Sequence, residues 1–210
     1  MTYPATPRPT VECYYTLSSP WAYFAGPRLQ DIAQRHRISV VMKPYDFQAV
    51  APKTGGIPIL TRPMPRRDYH ATELARWSRY LGMPLNLKPR FYPPVDNKTP
   101  GHTVIAAQQV GYDYMCLSHA ILRAIWAEER NVALPQTRRE LANENGMDGD
   151  TLIALETSER VVAEYQRNTD EVEQLGVFGA PTYVLDGELF WGQDRLEFLD
   201  RALALACTPD

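Results

Sequence analysis

Closely spaced cysteines are missing. The three present, Cys13, Cys116 and Cys207, form no Cys-x-x-Cys pair, which argues against a disulfide framework and a zinc site. The four histidines, His36, His70, His102 and His119, show no metal-ligand spacing, so no metal site is expected. No apolar run reaches the roughly 20 residues that a membrane-spanning helix needs. Net charge is only −3, and nothing marks a nucleic acid or an anionic membrane as partner. Repeats and low-complexity segments are absent too. The first nine residues hold three prolines and no apolar stretch; residues 1–10 read as a flexible tail rather than a secretory leader. Together these absences point to a reducing cytoplasm.

What is present suffices for a packed core. Apolar residues make up 44% of 210, a length suited to one domain or one domain with a large insertion. A β-prone run, residues 11–17, leads into Ser19-Pro20-Trp21-Ala22 and a helical pattern. Pro20 stands where a helix start tolerates it best, and Trp21, Phe24, Ala25, Leu29 and Ile32 recur at helical spacing. Residues 38–42 are β-rich and close a β-α-β unit, whose crossover makes the strand pair parallel. Residues 46–65 look irregular. From residue 66 to 174 helices dominate, at 68–81, 103–130 with a break near Gly111, 134–145 and 150–175. Strands return at Thr182-Tyr183-Val184-Leu185, with Asp186-Gly187 as a type I′ hairpin turn and Glu188-Leu189-Phe190-Trp191 as its second arm. A last helix spans 194–205.

That order predicts an α/β, thioredoxin-like sheet (residues 11–65 and 175–210) with a large all-helical insertion (residues 66–174). The strand–helix junction is where a thioredoxin-type redox protein carries Cys-x-x-Cys. Here the first position is Ser19 and the fourth Ala22, so dithiol exchange at this site is excluded. The helix still begins with unsatisfied N–H groups and partial positive charge, which suits a thiolate brought by another molecule.

Four constellations stand out, each with a plain reading beside a chemical one. Ser19 caps the helix, or its hydroxyl also donates to a bound sulfur anion, whose pKa falls at such a position. With no histidine close by in sequence, Ser19 reads as an activator of a thiol rather than as an acylated residue. Gly179-Ala180-Pro181-Thr182 is a loop before a strand, or a cis Ala180-Pro181 bond that presents the Ala180 backbone to an extended peptide. Trp191-Gly192-Gln193-Asp194 opens a capping box with Glu197, or its amides and the Asp194 carboxylate hold a γ-glutamyl group. Lys53, Arg62, Arg66 and Arg67 form a solvated run, or a clamp for a carboxylate, with Tyr92 as an aromatic wall. Trp77, Trp126 and Tyr165 read as core, and Cys116 and Cys207 as small apolar residues on helices.

These blocks, with Glu73-Leu74-Ala75-Arg76-Trp77 and Gly82-Met83-Pro84-Leu85, resemble the 2-hydroxychromene-2-carboxylate isomerases, relatives of kappa-class glutathione transferases. The resemblance spans about residues 11–205. It implies a DsbA-like fold, glutathione as cofactor, a small aromatic carboxylate as substrate and a homodimer. It implies Ser19 as the catalytic serine beside the glutathione sulfur. Ala180 matches the residue whose backbone pairs with the cysteinyl unit, and Trp191, Gly192, Gln193 and Asp194 match the γ-glutamyl contact. Thr61-Arg62 falls where the isomerases show Asn-Arg near the substrate, and Lys53 and Tyr92 are further substrate matches. The chain departs from the pattern at Thr16, where relatives often carry an acid, at Thr61 and at Gln193. Rival implications are conjugation, as in a kappa-class transferase, and a non-catalytic peptide-binding module.

Overall fold

The computed structural model describes residues 9–206. Most of the expected tail and Cys207 lie outside the described residues. β1 (Thr10–Tyr15) and β2 (Ser39–Pro44) pair in parallel across α1 (Pro20–His36). β3 (Thr182–Leu185) and β4 (Glu188–Trp191) complete a sheet of order β2-β1-β3-β4, with β3 antiparallel to both neighbours. Asp186 and Gly187 join them with φ of 50° and 86°, the positive pair that a type I′ turn demands. Between β2 and β3 lie α2 (Phe47–Val50), a 3-10 turn (Ile59–Thr61), α3 (Met64–Leu81), α4 (Thr99–Val110), α5 (Tyr114–Trp126), α6 (Pro135–Glu144), α7 (Gly149–Leu155) and α8 (Glu159–Leu175). A 3-10 turn (Gln193–Arg195) and α9 (Leu196–Ala206) close the chain.

The element order is the expected one; several boundaries differ for local reasons. Thr10 already belongs to β1, because its Cα pairs with Ser39. The irregular stretch contains a helical turn, α2, since the Asp46 carboxylate accepts from Gln48 N–H and Ala49 N–H. The helix expected over 150–175 is two helices. Glu156 turns inward at the break, and its carboxylate is buried rather than displayed on a helix face. The long stretch does break at Gly111, whose φ of 80° ends α4. The capping box at Asp194 does not form: Asp194 lies inside the 3-10 turn and its carboxylate accepts from Arg195 at 2.9 Å.

Strand alternation sorts the sheet's side chains between two cores. Cys13 and Tyr15 of β1 join Tyr183 and Leu185 of β3 in the main core, with Phe24 and Leu29 of α1 and Leu199 and Leu203 of α9. The intervening Tyr14 and Val184 enter a smaller core with Val50 of α2 and Val172 of α8. Each large apolar side chain buried this way contributes about 1.5–3 kcal/mol. Val104 of α4, Ile121 of α5 and Leu152 of α7 belong to the main core as well, so the helices between β2 and β3 are anchored on the sheet. Tyr165 and Trp126 are buried, as expected of core residues.

One histidine of this core carries a pH signature. His119 of α5 stacks on Tyr23 of α1, with centroids 5.3 Å apart and planes 9° from parallel. Gly26 makes room, since a Cβ there would lie 2.8 Å from the His119 Nδ1. Burial, and after it the Arg123 charge, push the imidazole pKa down to about 4. The unfolded imidazole takes up its proton near pH 6.5. Between those values the unfolded state binds more protons, so stability is lost as pH falls through the window. We expect about 1–2 kcal/mol of loss between pH 7 and pH 5, a range that lies above the carboxylate transitions. Urea unfolding of His119→Gln should show the loss over that window reduced by about this amount; an undiminished loss would refute the assignment.

Candidate functional site

β1 ends at Tyr15, and a three-residue turn delivers Ser19 to the start of α1. Ser19 keeps an extended backbone (φ −77°, ψ 121°), and its Oγ accepts from the Ala22 N–H at 3.2 Å. The helix cap is therefore real. The same hydroxyl donates to the Ala180 carbonyl at 3.3 Å, across 161 residues of sequence. The plain and the chemical reading of Ser19 are compatible: the cap fixes the rotamer and leaves the hydroxyl hydrogen directed at the loop before β3. Trp21 N–H and Ala180 N–H have no hydrogen-bond partner among the described residues. α1 has no acidic residue in its first turn, so nothing on the helix offsets the positive end of its dipole.

The Ala180-Pro181 bond is cis, as the sequence suggested. Tyr92-Pro93 is cis as well, which it did not. The Pro181 carbonyl accepts from Gly192 N–H at 2.9 Å, tying the end of β4 to the start of β3. Gly192 has φ 103°, a conformation that favours glycine. Gly179 packs under the indole of Trp191, and an added Cβ there would collide with the ring nitrogen. Phe178 meets the same indole at 4.7 Å between centroids.

Ser19, Ala180, Trp191 and Gly192 all border one cavity of about 360 Å³. Arg62, Arg66 and His70 line it too, with Tyr92, Trp21 and Phe47. Arg66 and His70 stand four residues apart on one face of α3, and Arg62 reaches the same cavity from the extended segment just before the helix. Arg62 is steadied by its Nε donating to the Ile57 carbonyl at 2.8 Å. Burial, and next the Arg66 charge, hold its pKa below the ordinary arginine value. His70 rests edge-on against Trp21 at 5.4 Å; burial and then Arg62 lower its pKa, so it is neutral at pH 7. Burial raises the Tyr92 pKa while Arg62 opposes the rise, which marks the phenol as neutral and within reach of that charge.

The structure brings some sequence-predicted residues together and leaves others apart. Lys53 is not at the cavity: its ammonium pairs with Glu173 of α8. Thr61 lies in the 3-10 turn, and its hydroxyl donates to the Pro58 carbonyl at 2.9 Å, away from the lining. Gln193 is 2% exposed and its side-chain oxygen accepts from Arg28 at 2.6 Å, so its amide side chain is structural. The lining stops at Gly192, short of Gln193 and Asp194. The N–H groups of Gln193 and Asp194 nevertheless have no hydrogen-bond partner among the described residues. His70 and Phe47 are site residues that the sequence reading missed. The four-residue spacing from Arg66 to His70 was the available signal for the first.

Chemically, the arrangement offers one positive helix end with a hydroxyl, one strand-like N–H at Ala180 and a cationic wall a few side chains away. An extended peptide carrying a thiolate and its own carboxylates fits those groups. A profile of the DSBA-like thioredoxin domain matches residues 10–204 of the chain. The chain is 27% identical over 199 residues to 2-hydroxychromene-2-carboxylate isomerase of Sphingobium xenophagum, which covers 92% of this chain and 97% of that protein. It is 25% identical over 203 residues to glutathione S-transferase kappa 2 of Caenorhabditis elegans, 90% and 89% of the two chains. A solved structure of a 2-hydroxychromene-2-carboxylate isomerase superposes with a TM-score of 0.76 at 25% identity, covering 94% of this chain and 96% of that one. No helix among the described residues is long and apolar enough to cross a membrane.

Proposed function

Because the chain belongs to the DSBA-like thioredoxin family, we propose that it is a glutathione-dependent isomerase of the 2-hydroxychromene-2-carboxylate type. The observation that carries the reading is the Ser19 hydroxyl, poised between the α1 N-terminus and the Ala180 carbonyl over the cavity. The isomerase relatives match over nearly their whole length, and both catalytic cysteines of a dithiol site are absent. Bound glutathione supplies a thiolate for reversible addition to a conjugated carbon, which frees rotation about the former double bond.

The chain's own residues do the rest. Ser19 donates to the sulfur in place of Ala180 and, with the helix end, favours its anionic form. The Ala180 N–H and carbonyl pair with the cysteinyl backbone in the manner of an added strand. Trp191 and Gly192 flank the γ-glutamyl end, which the free N–H groups of Gln193 and Asp194 receive. Arg62, with Arg66 beside it, takes the carboxylate of the aromatic substrate as a paired acceptor, and Tyr92 covers its ring. His70, neutral, adds no further charge to that wall. A reducing, cytoplasmic setting and a homodimer belong to the same reading.

The test follows the absorbance of 2-hydroxychromene-2-carboxylate. Turnover should depend on added glutathione and saturate with it; equal rates with and without the thiol would end the reading. The kappa-class relative favours conjugation as the second reading. A stable adduct with a chlorinated aromatic acceptor, without isomerisation, would select it.

A further inference from the structure

In the isomerase reading, glutathione is held at two points on different elements. Its sulfur meets the start of α1 beside Ser19, and its γ-glutamyl end meets the turn after β4. The tripeptide has a limited span between thiol and α-carboxylate. Both points are met only if the turn keeps one register against α1.

A polar side chain of α1 makes that tie. Arg28 lies further along the helix than Ser19, and its Nη1 donates twice into the turn. One bond goes to the Gln193 side-chain oxygen at 2.6 Å and one to the Gln193 backbone carbonyl at 2.9 Å. Gln193 is 2% exposed. A buried amide of this kind needs a partner, and a charged donor makes the stronger bond. The same guanidinium lies over the Trp77 indole of α3, 6.0 Å from the ring centre, so it is braced between the turn and a third element.

The bond to the backbone carbonyl has a directional consequence. The Gln193-Asp194 peptide is trans, so its C=O and its N–H point to opposite sides of one rigid plane. A carbonyl drawn toward Arg28 turns the Asp194 N–H away from Arg28. That N–H and the Gln193 N–H have no hydrogen-bond partner among the described residues, and they are the donors given above to the γ-glutamyl end. Gly192, just before them, lines the cavity, and its own N–H is tied to the Pro181 carbonyl at 2.9 Å. The turn is thus pinned twice, to the start of β3 through Gly192 and to α1 through Gln193. Without the second tie it keeps its place beside β3 and loses its register against the helix that carries Ser19.

The geometry points to Arg28 as a positioning residue of the γ-glutamyl site: it touches no part of glutathione and fixes the turn whose amides receive that end of the tripeptide. The inference rests on the isomerase reading only for glutathione as the ligand. It makes Arg28 a determinant of which thiol is accepted. A thiol that carries a γ-glutamyl group gains from the aimed turn, and one without it gains nothing.

Calorimetry on the full chain tests this with glutathione, with γ-glutamylcysteine, which keeps the γ-glutamyl group, and with cysteinylglycine, which lacks it. Wild type should bind the first two tighter than the third by about tenfold or more. Arg28→Met should weaken the first two by about tenfold, the worth of one hydrogen bond to a charged group, and leave cysteinylglycine unchanged. In turnover the loss should fall on the KM for glutathione rather than on kcat. Arg28→Lys keeps the charge but not the flat fork over Trp77, and should recover part of the affinity for the same two thiols. If urea unfolding shows that Arg28→Met has not folded, the same comparison of thiols on Arg28→Lys decides. Equal weakening of all three thiols, or an unchanged affinity for glutathione, would overturn the assignment and leave the isomerase reading standing. Wild type with no affinity for glutathione would remove both. Arg28-dependent glutathione binding without isomerase turnover would uphold the assignment and remove the isomerase reading.

Discussion

Under the proposed isomerase reading, Ser19→Ala should lower glutathione-dependent kcat/KM by about 10- to 100-fold, the range expected when a hydrogen bond to a charged group is lost. The substitution removes two things with separate readouts. The first is the donor at the sulfur: the pKa of bound glutathione, followed by thiolate absorbance, should rise toward that of the free thiol, because the helix dipole alone then holds the anion. The second is the cap, since Ser19 Oγ accepts from the Ala22 N–H; its loss costs about 1 kcal/mol of stability and appears in urea unfolding. Ser19→Thr restores a hydroxyl and should recover much of the activity. A protein that loses stability but keeps both its rate and the thiol pKa would mean that Ser19 is a cap only.

The largest stability effect is expected far from the cavity, at Glu156. Its carboxylate meets Arg138 along two edges, at 2.6 and 3.0 Å, and accepts from Thr103 at 2.6 Å. The third guanidinium nitrogen of Arg138 donates to the Val132 carbonyl at 2.7 Å. The Arg138 and Glu156 side chains are 1% and 4% exposed. Glu156→Leu strands the guanidinium in an apolar interior and should destabilise by about 3–5 kcal/mol. Adding Arg138→Met should recover a large part, because a pair of apolar groups in a dry site competes well with a buried ion pair. Denaturant titration of both single variants and the double variant checks this; additive losses would contradict it. The network joins α4, α6 and the end of α7.

Elements whose causes are local were legible in the sequence. Ser19-Pro20 announced the start of α1, Gly111 and Gly176 the ends of α4 and α8, and Asp186-Gly187 the hairpin turn, each through conformations that the residue itself favours. Alternation in β1 sent Tyr14 one way and Cys13 and Tyr15 the other. The same reasoning missed the break at Glu156, because helix periodicity does not say that a glutamate will be drawn inward by an arginine from another helix. It also proposed a capping box at Asp194, where the neighbouring Arg195 holds the carboxylate instead.

Long polar side chains are where sequence reasoning ran out. Lys53 sits among basic residues that suit a carboxylate clamp, yet its amine reaches Glu173, 120 residues on. Arg62 does line the cavity, and so does His70, which the sequence reading had considered only as a metal ligand and set aside. A lysine or arginine has several rotamers and a reach that spans many neighbours, so its partner is set by what packing brings near.

The sequence by itself determined the order of strands and helices, the capped start of α1 and the absence of a dithiol, since backbone preference and residue chemistry act over a few neighbours. Only the tertiary structure decided that Ser19 meets Ala180, that Arg138 meets Glu156 and that Lys53 meets Glu173. Those meetings join residues far apart in the chain, and apolar burial, not local preference, selects which of them come within hydrogen-bonding distance.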